Sequence, residues 1–91
     1  MDSRELVVLL ESPHTDVTSP ELVRGAIKAG LGWPTPYWPG LAVRWIEDGA
    51  SLDSELAKLL DAVAANGHFP QSLRHRAFAL ARRFDRAQGA R

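Results

Sequence analysis

The sequence predicts an all-α domain of about five short helices, closed into a compact bundle or stacked as antiparallel hairpins. Three observations carry this expectation. Apolar residues recur at three- and four-residue spacing in each ordered stretch. Every gap between those stretches holds Pro, Gly, Ser or Asn. At 91 residues the chain has room for one hydrophobic core. The domain is expected over residues 1–88, with 89–91 as a frayed terminus.

The first helix is expected over about Ser3 to Glu11. Asp2 stands three residues before Glu5, the spacing of a capping box, and Ser12-Pro13 ends the run because proline disfavours helix in the residue before it. Leu6, Leu9 and Leu10 are its expected buried stripe. Val7-Val8 alone would suit a strand, but a lone strand has no partner for its backbone. The second helix opens at Ser19-Pro20-Glu21, a cap, a residue that needs no donor, and an acid at the positive end. It is expected to run to about Ala29, burying Leu22, Val23, Ala26 and Ile27, with Gly30 and Gly32 supplying left-handed conformations that end it. Trp33 to Gly40 then forms a stiff aromatic linker with three of the six prolines.

The third helix is expected from Leu41 to Asp48, burying Leu41, Ala42, Trp45 and Ile46 and stopping at Gly49. The fourth is expected from Ser51, with Asp53 and Glu55 in its first turn, Leu52, Leu56, Leu59, Leu60 and Val63 inside, and Asn66-Gly67 at its end. The fifth starts near Pro70-Gln71 and aligns Leu73, Ala77, Leu80, Ala81 and Phe84.

The run from Leu6 to Val17, LVVLLESPHTDV, followed by Leu22 to Gly32, LVRGAIKAGLG, resembles a HEAT-type helical repeat. In that family a leucine-rich first helix ends in a Pro/Asp turn and an alanine-rich second helix ends in Leu-Gly. Leu56 to Phe84 carries a fainter echo. The resemblance implies an α-solenoid-like protein-binding fold without catalytic residues.

Eleven basic residues balance eleven acidic ones, so the molecule as a whole attracts neither nucleic acid nor anionic lipid. There is no cysteine, which excludes disulfides and thiolate chemistry. With no signal-peptide pattern and no apolar run of about 20 residues, a cytoplasmic location without membrane contact is expected. Abundant Ala and Arg, with Lys28 and Lys58 as the only lysines, suit a GC-rich bacterial source. No catalytic, cofactor or metal site is expected: His14, His68 and His75 lack ligand spacing, and no serine sits in a nucleophile turn. Asp53, Glu55 and Asp61 are better explained by the helix dipole and solvation than as catalytic carboxylates.

Two features point to binding. From Gln71 onward six arginines face one acid, leaving five basic and ten acidic residues in the first seventy. Arg74, Arg76, Arg82, Arg83 and Arg86 fan across the side of the fifth helix opposite its apolar stripe, with His75 and Phe78 among them. Such a stripe suits an acidic partner or phosphate; alternatively it is a solvated face, some of its arginines paired with acids of the fourth helix. Trp33, Tyr37, Trp38 and Trp45 fall within thirteen residues. They serve as core and corner, as an interface, or, through Pro36-Tyr37-Trp38-Pro39, as a polyproline ligand. The expected function is a protein-interaction module that engages a protein partner or a second copy through Trp33, Tyr37, Trp38, Arg74, Arg82, Arg83 and Arg86. The alternative is a nucleic-acid-binding regulatory domain using the arginine helix.

Overall fold

A computed structural model describes residues 2–89 of the chain. Among them there are five α-helices and no strand: α1 (Ser3–Val8), α2 (Pro20–Leu31), α3 (Tyr37–Glu47), α4 (Ser54–Ala65) and α5 (Gln71–Gly89). Two 3-10 turns, Leu9–Glu11 and His14–Asp16, lie between α1 and α2. The fold is the expected all-α one.

In α1 the Glu5 amide donates to Asp2 Oδ1 at 3.0 Å. Val7 and Leu10 are the buried residues of this segment, Leu6 and Leu9 are half-buried, and Val8 is exposed. The expected stripe is thus rotated, because the helix tightens at Leu9 and residues three apart then lie one above the other. Ser19 caps α2 by accepting from the Leu22 amide at 3.3 Å.

Helix α2 passes its expected end at Ala29 and reaches Leu31. Gly30 is helical and Gly32, at φ −85°, is a right-handed cap, so neither is left-handed. Gly30 serves close approach instead. A Cβ there would stand 2.6 Å from Leu10 Cδ1, 3.1 Å from Ala42 Cβ and 3.2 Å from the Trp38 carbonyl oxygen.

Helix α3 begins at Tyr37, four residues before the expected start. Pro39 is compatible with this because it occupies the third helical position, where an amide has no intrahelical acceptor. The Gly40 amide closes the first turn onto the Pro36 carbonyl at 3.1 Å. At the other end, Gly49 (φ +114°) is the single positive-φ residue described. Its amide bonds to Ile46 O at 3.1 Å, and that of Ala50 to Trp45 O at 3.0 Å, the paired bonds of a Schellman end.

Helix α4 is capped by Asp53 rather than by Ser51. Asp53, expected within the first turn, precedes the helix: its Oδ1 accepts from the Leu56 amide at 2.9 Å while its Oδ2 takes the Arg24 Nε at 2.6 Å. Helix α5 continues through Gly89, past the start of the expected fraying; residues 90 and 91 lie outside the described ones.

One apolar cluster joins all five helices, with Ile27, Val43, Trp45, Leu56, Leu60, Phe69, Leu73 and Leu80 among its buried members. The strongest packing is between α1 and α2, α2 and α3, and α4 and α5; α2–α4 and α3–α5 contacts join these two halves. The Cα envelope measures 34 × 33 × 18 Å, and its thin dimension is two helix layers deep. No described helix is long and apolar enough to cross a membrane.

Candidate interaction surface

Turning 100° per residue, α5 sends Leu73, Ala77, Leu80 and Ala81 inward and leaves His75, Phe78, Ala79, Arg82 and Arg86 along its outer ridge. The five arginines do not act as one stripe. Arg74 is half-buried and its Nε donates to the Ala64 carbonyl at 3.2 Å, near the end of α4. Arg76 grips Glu47 through both arms of its fork, Nε at 3.1 Å and Nη2 at 2.7 Å. That carboxylate raises the Arg76 pKa further above its ordinary value. Its partner belongs to α3 and not, as the charge pattern suggests, to the fourth helix.

Arg82, Arg83 and Arg86 remain. They are exposed, and among the described residues no acid lies within 4.0 Å of them. The Arg82 guanidinium sits 5.8 Å from the centroid of the Phe78 ring, and that ring is 54% exposed. Beside Arg83 a groove of about 300 Å³ opens between α5 and the end of α3, walled by Ile46, Ala50, Leu52, Leu80, Phe84 and Ala87. Leu52 and Ala50 also form one wall of a second groove, of about 480 Å³, whose far side is Val17, Pro20 and Val23. The larger groove also has His14, Thr15, Thr18, Arg24, Ser51 and Asp53 in its lining, so the α3–α4 loop stands between a mixed groove and the more apolar one beside Arg83.

The aromatic residues lie elsewhere. Trp45 is core, 2% exposed, and its indole N–H donates to Ser12 O at 2.8 Å. Trp33 and Trp38 are half-buried against that core. Tyr37 is exposed; its hydroxyl donates to Glu11 at 2.7 Å and its ring meets Trp38 edge-on at 4.8 Å. The Glu11 carboxylate raises the phenol pKa by holding its proton. Pro36 and Pro39 bracket and enter a helix, which corrects the polyproline-ligand reading: that recognition needs an extended left-handed conformation. Tyr37 opens α3, whereas α5 meets α3 at its end, through Glu47 and Ile46. Ten helical steps, about 15 Å, separate Tyr37 from Glu47. Tyr37 and Arg83 therefore lie at opposite ends of α3.

His14 lies in the second 3-10 turn, with its Nε2 3.1 Å from Asp48 O and its ring 6.1 Å from that of Trp45. His68 is in the α4–α5 connection and His75 on α5. Among the described residues no three His, Asp or Glu side chains gather.

Two features had no local signal in the sequence. One is the groove beside Arg83, whose walls come from α3, the α3–α4 loop and α5. The other is a surface ion cluster in which Arg24 bonds both Asp53 and Glu55, and Lys28 lies 3.2 Å from Glu55. Arg24 lowers the pKa of Asp53, helped by the Leu56 amide, and that of Glu55, helped by Lys28. The chain matches no protein-family model, no curated protein and no solved structure.

Proposed function

We propose that the chain is a non-enzymatic protein-interaction module that docks a partner protein through the outward side of α5. One observation carries this reading: Arg82, Arg83 and Arg86 stand exposed without an acid within 4.0 Å among the described residues, next to a half-exposed Phe78. Arginine and aromatic side chains are the types that dominate binding energy at protein interfaces. The HEAT-type resemblance of the first third points to the same class of function.

The same arginines could hold phosphates, which is the nucleic-acid alternative. With Arg74 and Arg76 already engaged, three cations are left, and three phosphate contacts give a salt slope of only about −3 with correspondingly weak affinity. The protein reading is therefore preferred.

The test is a displayed random-peptide library panned at moderate salt against the chain and against its Arg82→Glu/Arg83→Glu/Arg86→Glu variant, with a labelled DNA duplex titrated in parallel. Peptides enriched on the chain and lost on the variant are the expected result. No enriched peptide, together with duplex binding that the variant abolishes, would replace this reading with the nucleic-acid one.

A further inference from the structure

The chemistry of the partner follows from what adjoins the arginines. Arg83 is at once one of the three exposed cations and a wall of the apolar groove between α5 and the end of α3. Arg86 is not in the groove wall but follows Arg83 by three positions, one helical turn, and so neighbours it on the exposed surface of α5. The groove floor is hydrocarbon, from Ile46, Leu52, Leu80 and Phe84. Cations on the rim and hydrocarbon on the floor ask for opposite properties from one ligand. Resting on the reading of α5 as the docking face, we propose that the partner is an acidic amphipathic segment: a Leu- or Phe-sized side chain enters the groove beside Leu52, and flanking carboxylates meet Arg83 and Arg86.

Charge complementarity selects this occupant over the others. Arginine presents its donors as a fork that matches a carboxylate on two bonds, so an acidic segment gains both attraction and orientation at Arg83 and Arg86. A nucleic-acid strand would use the cations but leave the hydrocarbon floor uncovered. A second copy of this chain is a poor fit. Its acids without a recorded polar partner, Glu5, Asp16, Asp61 and Asp85, lie on four different elements, so the described residues form no acidic face to set against α5. Glu47 and Asp48, which lie between the wall residues Ile46 and Gly49, are already turned to Arg76 and Arg44.

Three displayed peptide pools distinguish the possibilities: acidic with interspersed Leu and Phe, acidic with Ser at those positions, and basic with Leu and Phe. The chain is compared with Ala87→Trp, which fills the groove from an exposed helical position, and with Arg83→Glu/Arg86→Glu; circular dichroism and urea midpoints check that both variants fold. The expected result is enrichment of the acidic-apolar pool, with selected peptides binding roughly tenfold or more tightly than their Ser counterparts, as burial of one such side chain implies. Ala87→Trp should remove that advantage and Arg83→Glu/Arg86→Glu should remove binding. Methyl resonances of Ile46, Leu52 and Leu80 should shift on titration. Equal binding of acidic-apolar and acidic-Ser peptides, unaffected by Ala87→Trp, would overturn the groove assignment while leaving α5 as the docking face. Enrichment of the basic pool would overturn the acidic partner. Failure of all three pools would overturn both this inference and the docking role of α5.

Discussion

Helix α2 holds two glycines five residues apart, and the same substitution at each should have opposite effects. Glycine to alanine in a helix interior gains about 1 kcal/mol from propensity alone. At Gly25 the new methyl would meet Leu6 Cδ2 at 3.5 Å and Cδ1 at 3.6 Å, ordinary contact distances, so the gain survives and Tm should rise by about 4–8 °C. At Gly30 it would sit 2.6 Å from Leu10 Cδ1, 3.1 Å from Ala42 Cβ and 3.2 Å from the Trp38 carbonyl oxygen. Leu10 is itself 2% exposed and can yield only toward the small groove it shares with Leu41 and Trp45, while the other two atoms are fixed by the backbone of α3. Overpacking of this kind costs about 1–3 kcal/mol, and near the helix end the propensity gain is smaller, so Gly30→Ala should be destabilising by up to about 2 kcal/mol. Urea unfolding followed by circular dichroism gives both values in one experiment. Adding Leu10→Ala removes the tightest clash, so the two substitutions should couple favourably. A Gly30→Ala variant as stabilised as Gly25→Ala would refute the close approach of α2, α3 and the first 3-10 turn.

Asp53→Ala should lower stability by about 1 kcal/mol through loss of the α4 cap, whereas Ser51→Ala should leave the urea midpoint unchanged; equal effects would mean that the cap is misassigned. Asp53, Glu55 and Glu21 have lower pKa values folded than unfolded, so the stability they confer is complete above the unfolded carboxylate range near pH 4 and is lost as pH falls through and below it. In Arg24→Ala the decline in urea midpoint between about pH 6 and 3 should be shallower, and an unchanged slope would exclude Arg24 as the cause. Tyr37 is the one tyrosine in the chain, so its alkaline absorbance titration reports a single site: it should ionise above the usual value of about 10, and Glu11→Gln should bring it back.

The elements most legible in the sequence were those set by local chemistry. Ser19-Pro20 marks the start of α2 with a cap and a residue that needs no donor, and Gly49 marks the end of α3 with the one conformation it alone adopts readily. What was not legible depended on position counted from elsewhere. Pro39 looks like a linker residue until the helix is known to start at Tyr37, which makes its missing amide harmless. Ser51 and Asp53 are both capping types, and the helix begins after Asp53, whose second oxygen is held by Arg24, twenty-nine residues away. The arginine pattern was visible, but Glu47 and the Ala64 carbonyl, which withdraw Arg76 and Arg74 from it, are neighbours only in the fold. The groove beside Arg83 has walls from three elements and so has no counterpart in any window of sequence.

The principal packing partners are consecutive helices, and this has a kinetic consequence. Closing α2 on α3 or α4 on α5 spans five connecting residues, and α1 on α2 eleven, so chain-closure entropy is small and each pair can form early. Contacts of α2 with α4 and of α3 with α5 require the α3–α4 loop to fold back, and they complete the tertiary structure. A chain of this contact pattern folds on the microsecond-to-millisecond scale. Its two halves meet along a line that includes the Arg24–Asp53 pair, the Glu47–Arg76 pair and the groove walls. Amide exchange should therefore open first along that line, and a segment bound in the groove would slow exchange in both halves at once.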